Sequence, residues 1–313
     1  MMALVSLIVP SYNEEENIEN TVSVLTKVCE ECCEDHEIIF VNDGSKDRTF
    51  EKILDASLKD RHIKGLSFSR NFGKEAAIFA GLSAASGDAC IVLDCDLQHP
   101  PKIIPDMLKL WKEGAEVVEG VKRSRGREGF LHKIFAGMFY GIMSKLIKMD
   151  MKATSDYKLL DRKVVDALLD LKESNTFFRA LSFWVGFKSV KLEYDVEERK
   201  FGKTKWSVRS LFKYAINNAT SFSTLPLQIV TFLGTVSVLF GVVLSVQTLV
   251  RFLMGNSEAG FPTVILLILL IGGFIMISLG IIGHYIGRIY EEVKGRPRYI
   301  IREKTDNLTG NFR

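Results

Sequence analysis

Cysteine is scarce in this chain: five in 313 residues, at Cys29, Cys32, Cys33, Cys90 and Cys95. They form no paired framework, so a disulfide scaffold is excluded. Cys29-x-x-Cys32 has no second pair or histidine cluster to complete a zinc site, and it reads as a helix end carrying free thiols. Reduced thiols point to a cytosolic location for this part of the protein. Charge of one sign is also lacking. The net charge is only +3, which gives a nucleic-acid partner no general electrostatic support. No Gly-x-Gly-x-x-Gly follows the first apolar run and no Walker loop is present, so the usual dinucleotide and P-loop readings lack their fingerprints. Internal repeats and low-complexity tracts are missing. Met1 to Pro10 is too short an apolar stretch for an expected signal peptide, and Asn13 to Glu16 follows at once.

What is present is an alternation of strands and helices. Leu4–Pro10 reads as a first strand, and Ser11-Tyr12-Asn13-Glu14-Glu15-Glu16 supplies cap residues and first-turn carboxylates for a helix to about Cys29. Glu37–Val41, Ile63–Phe68 and Glu116–Val121 are further strands; Thr49–Leu58, Glu75–Ala85 and Lys102–Glu113 are helical in pattern. This order predicts a parallel, doubly wound sheet. Each loop after a strand then brings polar groups to one edge: Tyr12, Asn13 and Glu14; Asn42 and Asp43; Asn71 and Lys74.

The fourth strand carries the most pointed chemistry. The apolar run Ala89–Leu93 ends in Asp94-Cys95-Asp96-Leu97-Gln98-His99-Pro100. In extended backbone, residues two apart face the same side, so Asp94 and Asp96 can aim at one point, with Gln98 continuing that face if the chain stays extended. Two convergent carboxylates repel each other unless a cation lies between them. Hard oxygen ligands suit Mg²⁺ or Mn²⁺, which keep water and substrate phosphate as their other ligands. The plainer alternative is a solvated Asp-x-Asp turn.

The pattern changes after Val121. Lys122-Arg123-Ser124-Arg125-Gly126-Arg127 is a dense basic loop, and Phe130 to Met149 carries a continuous apolar stripe at helical spacing. That stripe fits either a core helix or an amphipathic helix on a membrane surface. Lys188–Glu197 alternates as a strand, Arg199 to Trp206 is a second basic loop, and a second amphipathic helix follows it. Arg123, Arg127, Arg199 and Lys205 are candidates for phosphate groups, since guanidinium forks bind phosphate bidentately; attraction to anionic lipid is the alternative.

From Ala219 to Val250, and again from Ala259 to Gly287, there is no Asp, Glu, Lys or Arg. Each run exceeds the roughly 20 residues that span a bilayer. Arg288, Lys294, Arg296, Arg298, Arg302 and Lys304 follow the second run, so that end is expected to be cytoplasmic. Two spans return the N-terminal domain to the same side. The expected organisation is a cytosolic domain over 1–218 with juxtamembrane helices near 130–148 and 206–218, two spans (about 224–250 and 262–287) within 219–290, and a basic cytosolic tail over 291–313.

The chain resembles the family 2 glycosyltransferases, and more narrowly the polyprenyl-phosphate glycosyltransferases: the bactoprenol glucosyltransferases and the dolichol-phosphate mannose synthases. Val9-Pro10-Ser11-Tyr12-Asn13-Glu14, Val41-Asn42-Asp43-Gly44-Ser45, Asp94-x-Asp96-x-Gln98, Ser155-Asp156-Tyr157 and Arg199-x-x-Gly202-x-x-Lys205-Trp206 carry the resemblance, together with the two apolar runs. It implies an α/β GT-A (Rossmann-like) fold, with a mixed, mostly parallel sheet, flanking helices, juxtamembrane helices and a two-helix transmembrane hairpin. It also implies an inverting transfer of one sugar, with UDP-glucose the foremost donor and GDP-mannose or UDP-GlcNAc as alternatives, to a membrane polyprenyl (undecaprenyl) phosphate for cell-envelope glycosylation.

By the same resemblance, Pro10, Tyr12, Glu14, Asp43 and Asp94 bind the nucleotide, and Asp94, Asp96 and Gln98 hold Mg²⁺ or Mn²⁺. Asp156 and Asp96 are the catalytic candidates, with Asp156 either a base or a group that orients the acceptor. Arg123, Arg127, Arg199 and Lys205 take the acceptor phosphate, with Lys74 a weaker candidate. A homo-oligomer, such as a tetramer, is expected, in a bacterial plasma (inner) membrane with both termini cytoplasmic. No Gln-x-x-Arg-Trp motif is present, which argues against a processive polymerase. Two rival readings are a tethered transferase with a soluble acceptor and a non-catalytic sugar-nucleotide-binding regulator.

Overall fold

The computed structural model describes residues 3–33, 35–122, 155–173, 177–194, 225–255 and 260–308. Two compact units emerge: Met1–Ser207 together with Arg296–Arg313, and Val208–Gly295.

The first unit is built on one sheet. Its elements in chain order are β1 (Leu4–Ser11), α1 (Ile18–Cys32), β2 (Asp35–Asn42), α2 (Thr49–Lys59), β3 (Ile63–Phe68), α3 (Lys74–Ala84) and β4 (Ala89–Val92). A 3₁₀ turn (Pro101–Ile103) leads into α4 (Ile104–Lys112), followed by β5 (Val117–Lys122), β6 (Lys158–Asp161), α5 (Arg162–Asp170), α6 (Phe178–Trp184) and β7 (Ser189–Tyr194). After the second unit the chain returns as β8 (Ile301–Lys304). Strand order is β7-β5-β6-β4-β1-β2-β3-β8. β1, β2, β3 and β4 pair in parallel, as do β5 and β7; β6 runs antiparallel to both β4 and β5, and β8 runs antiparallel to β3. The sheet is therefore mixed but mostly parallel, with only β6 and β8 reversed among the described strands.

Burial explains why these segments fold as they do. Val5 and Leu7–Val9 of β1, and Ile38–Val41 of β2, are withdrawn from water on both faces, as central parallel strands must be. α1 buries Ile18, Thr21, Leu25 and Cys29, one stripe of an amphipathic helix. Its cysteine is thus core, and all five thiols are free. α3 is apolar nearly all round, with Ala76–Leu82 buried. It lies so close to the sheet that a Cβ on Gly81 would sit 2.2 Å from Ile8 Cγ2.

Four local expectations change. Residues 12–17 form a turn, and α1 begins only at Ile18; Asn13 takes φ 56°, which a helix start does not allow. The chain after β4 does not stay extended: Leu97 N donates to Asp94 O at 3.3 Å and Leu97 takes φ 53°, closing a turn over Cys95 and Asp96. α5 and α6 fill a stretch where no helix is expected from the sequence pattern. α5 is capped by Asp161, whose carboxylate accepts from Lys163 N. Finally, the basic tail is part of the sheet. Thr305 N and Gly65 O pair at 2.9 Å, Tyr299 stacks on Phe68 at 5.1 Å, and Asn307 Nδ2 donates to Arg61 O and Ile63 O.

The second unit holds α7 (Leu225–Leu253) and α8 (Phe261–Val293), of 29 and 33 residues. At 1.5 Å per residue they run about 43 and 50 Å, more than the roughly 30 Å hydrocarbon core of a bilayer. Both are long and apolar enough to cross a membrane. The stripes expected near 130–148 and 206–218 lie outside the described residues.

Candidate active site

The carboxyl ends of β1, β2, β3 and β4 open on one edge of the sheet, where open α/β sheets place ligands. Reversal of β6 brings a fifth segment there from the opposite chain direction. Val92 of β4 pairs with Lys158 of β6, so Asp94 and Asp156 each stand two residues beyond that pair, at the same edge.

A pocket of about 300 Å³ lies at this edge, lined by Pro10, Ser11, Tyr12, Glu14, Asp43, Asn71, Lys74, Ala77, Asp94, Cys95 and Asp96. The structure thus brings together Pro10, Tyr12, Glu14, Asp43, Asp94 and Asp96 from the ends of three strands far apart in sequence. Gln98 is not part of the pocket wall; the turn at 94–97 takes it away, and its backbone N–H instead donates to Asp96 Oδ1 at 3.1 Å. Arg123, Arg127, Arg199 and Lys205 lie outside the described residues.

Each wall is held by its own hydrogen bonds. Asp43 is buried and accepts from Phe72 N at 2.7 Å and Gly73 N at 2.9 Å, so it fixes the loop that carries Asn71 and Lys74. Gly44 beside it has φ +64°, and a Cβ there would lie 2.4 Å from the carbonyl carbon of Arg70; only glycine fits. The acidic turn is pinned from α1, where Thr21 Oγ1 donates to Cys95 O at 2.7 Å. Two non-glycine residues with positive φ, Asn13 and Leu97, flank the pocket; such backbone is uncommon and clusters at functional sites.

The electrostatics divide into two zones. On one side, Glu14 has its carboxyl pKa raised by burial; its hydrogen bond from Asn17 opposes this, while the nearby charges of Asp96 and Asp94 add to it. On the other, Lys74 Nζ lies 2.5 Å from Asp94 Oδ1 and 3.0 Å from Asp156 Oδ2. Burial would raise the Asp94 carboxyl, but Lys74 and His99 outweigh it and hold it far below the usual carboxylate range. Asp156 behaves alike: burial pushes it up, and Lys74 with Arg179 brings it well below normal. Arg179 grips Asp156 bidentately, Nε to Oδ1 at 2.6 Å and Nη2 to Oδ2 at 2.8 Å.

The Asp156 loop has buried support. Glu119 Oε1 accepts from Ser155 N at 2.9 Å and pairs with Lys158 Nζ at 3.1 Å, and Lys158 in turn donates to Ser182 Oγ. Glu75 Oε2 accepts from Phe178 N at 2.9 Å, tying α3 to the start of α6. Sequence reasoning missed Arg179, Glu75, His99 and Tyr194. Arg179 and Glu75 lie in helices rather than at strand ends. For His99 the signal was its place five residues after Asp94; for Arg179 there was none.

Whether a divalent cation fits can be judged from the donor set. Among the described residues, no group of three or more His, Cys, Asp or Glu side chains is arranged as a complete metal cage. Asp94 and the exposed Asp96 are two hard carboxylates beside an open pocket. This suits a cation that takes one or two carboxylates and completes its shell with substrate phosphate and water. The residues fit such a group.

An open α/β sheet whose carboxyl edge carries a carboxylate-lined pocket is the architecture of an enzyme that handles a polar ligand there. Residues 6–169 match the family described as Glycosyl transferase family 2, and the chain belongs to that family: it is a glycosyltransferase. It is 41% identical over 300 residues to an uncharacterized glycosyltransferase of Bacillus subtilis (strain 168), covering 95% of this chain and 93% of the relative. It is 40% identical over 305 residues to the bactoprenol glucosyl transferase of Shigella phage SfII, covering 96% and 97%. In fold it is similar to glucosyl-3-phosphoglycerate synthase from Mycobacterium tuberculosis, solved with Mn²⁺, UDP and glucosyl-3-phosphoglycerate, with a TM-score of 0.53, 17% identity, and 70% of this chain and 79% of that one covered. The GT-A fold expected from the sequence is the one observed.

Proposed function

We propose that this glycosyltransferase, anchored in a membrane by α7 and α8, moves one sugar, glucose from UDP-glucose, to a polyprenyl phosphate of that membrane. The observation that carries the reading is the pocket that gathers Pro10, Tyr12, Glu14, Asp43, Asp94 and Asp96. Support comes from the bactoprenol glucosyl transferase likeness, which extends over nearly the whole chain. The bacterial inner membrane is the corresponding location, with the catalytic unit cytoplasmic.

Pro10, Tyr12, Glu14 and Asp43 form the nucleoside side of the pocket. Asp94 and Asp96 would hold Mg²⁺ or Mn²⁺ against the donor diphosphate, where a bound cation supplies Lewis-acid neutralisation of the leaving group. Asp156 acts through charge. Both its oxygens are engaged by cations, which disfavours it as a covalent nucleophile and supports a single, inverting displacement. A carboxylate held so far below its usual range is also a weak base. The acceptor needs none: a phosphate monoester has its second pKa near 6 and is largely a dianion at neutral pH. Asp156 therefore stabilises positive charge developing on the sugar and keeps Lys74 and Arg179 in place. Arg123, Arg127, Arg199 and Lys205 are the proposed receivers of the acceptor phosphate.

The test is a transfer assay with purified full-length protein, Mg²⁺ or Mn²⁺, undecaprenyl phosphate and a panel of labelled sugar nucleotides. Label entering the organic phase with UDP-glucose supports the reading. Label entering only with another donor corrects the sugar, and none with any donor in folded protein overturns the lipid acceptor.

A further inference from the structure

Behind Asp94 stands a group of side chains that the reaction described above does not use. His99 follows the 94–97 turn and is 8% exposed. Its Nδ1 lies 2.5 Å from the Tyr194 hydroxyl, and its Nε2 lies 3.5 Å from Asp94 Oδ2. The other Asp94 oxygen, Oδ1, faces Lys74. Each oxygen of this carboxylate therefore has its own cationic or polar neighbour.

The ring itself is confined. Tyr157 lies against it with centroids 5.1 Å apart and planes at 39°, and Tyr194 meets it near edge-on at 6.0 Å and 76°. The Tyr157 hydroxyl donates to Pro100 O at 3.2 Å, which closes the cage from the His99-Pro100 side. Tyr194 is the last residue of β7, and Tyr157 is the neighbour of Asp156. Three elements distant in sequence thus build one support under the acidic turn.

Hydrogen-bond chemistry assigns the proton. An ionised carboxylate only accepts, whereas a tyrosine hydroxyl can donate or accept. A neutral imidazole facing Asp94 through Nε2 must carry its proton there, and Nδ1 then accepts from the Tyr194 O–H. In this form the imidazole orients Asp94 without adding a positive charge that would repel a cation. Carboxylates that ligate metals are generally held by such outer hydrogen bonds.

We propose that His99, set in one tautomer by Tyr194, is a positioning residue that aims the Asp94 carboxylate at a divalent cation. The proposal rests on the cation reading of Asp94 and Asp96 given above, and it adds two residues that carry no role in that reading. Loss of such a support costs metal affinity about 10- to 100-fold, while the groups that touch substrate stay in place.

The experiment measures Mn²⁺ binding to the full chain in detergent by electron paramagnetic resonance, with UDP or GDP present, and runs the Mn²⁺ dependence of sugar transfer alongside. His99→Ala should weaken Mn²⁺ binding by about tenfold or more. Tyr194→Phe, which keeps the ring packing, should also weaken it and should shift half-maximal Mn²⁺ upward in the transfer assay with kcat at saturating Mn²⁺ near wild type. His99→Gln, which retains an N–H donor, should recover part of the His99→Ala loss. Wild-type affinity in folded His99→Ala and Tyr194→Phe overturns the positioning role alone. Absence of Mn²⁺ binding in the wild type overturns it together with the cation reading.

Discussion

Arg179→Met tests the central charge arrangement. Arg179 makes two short bonds to Asp156, whose side chain is 7% exposed, while the arginine itself is 31% exposed. Truncating a partner of a fully buried pair costs about 3–5 kcal/mol; exposed pairs contribute about 1 or less. With one partner nearly a third exposed and Lys74 still beside Asp156, about 2 kcal/mol is the expected loss. For a unit of this size that lowers the melting temperature by ~4–8 °C. The sign with pH follows from linkage. The folded Asp156 pKa lies below the unfolded value near 4, so its contribution is fully present above about pH 4 and is lost as pH falls through the folded value. The gap between wild type and Arg179→Met should therefore be widest at neutral pH and shrink below pH ~4. Differential scanning fluorimetry across pH, with transfer assays at neutral pH, reads both. An unchanged melting temperature at pH 7, with unchanged turnover, would refute the role given to the Asp156–Arg179 pair.

Other outcomes follow from the same geometry. Asp96→Asn should lower transfer to background and weaken Mn²⁺ binding; full wild-type turnover in EDTA contradicts the metal role of the acidic pair. Gly44→Ala should destabilise the first unit by about 2 kcal/mol or more, because its positive φ and the Arg70 backbone leave no room for a Cβ; a melting temperature equal to wild type would show that the 70–73 loop yields cheaply. Truncation after Gly295 removes β8 and the Tyr299–Phe68 stack, and uncovers the β3 edge. Limited proteolysis should then cut within β3 and the loop after it, whereas an unchanged digestion pattern would show the tail to be dispensable.

Much of the fold was legible because burial on both faces of a central strand leaves a continuous apolar run, and Leu7–Val9, Ile38–Val41 and Ala89–Leu93 each are one. The polar groups after those strands were legible for the same reason: once the strands are parallel, their carboxyl ends share an edge, so Tyr12, Glu14, Asp43 and Asp94 had to meet. The turn at Asp94–Leu97 was not legible. Alternation alone cannot tell an extended Asp-x-Asp from a turned one, and the structure turns it through a left-handed Leu97 pinned by Thr21 of α1.

The sequence by itself determined the chemistry at hand: carboxylates on strand ends, and two runs too long and too uncharged for anything but an apolar surround. Those are local properties, set by periodicity and by the cost of placing charge in hydrocarbon. Tertiary structure alone decided what surrounds the carboxylates. Reversal of β6 sets Asp156 opposite Asp94, α6 delivers Arg179, β7 delivers Tyr194 to His99, and the tail closes the sheet as β8. Each of these pairings joins residues separated by tens to hundreds of positions, and only strand order and helix packing, which no local pattern encodes, fix which of them meet.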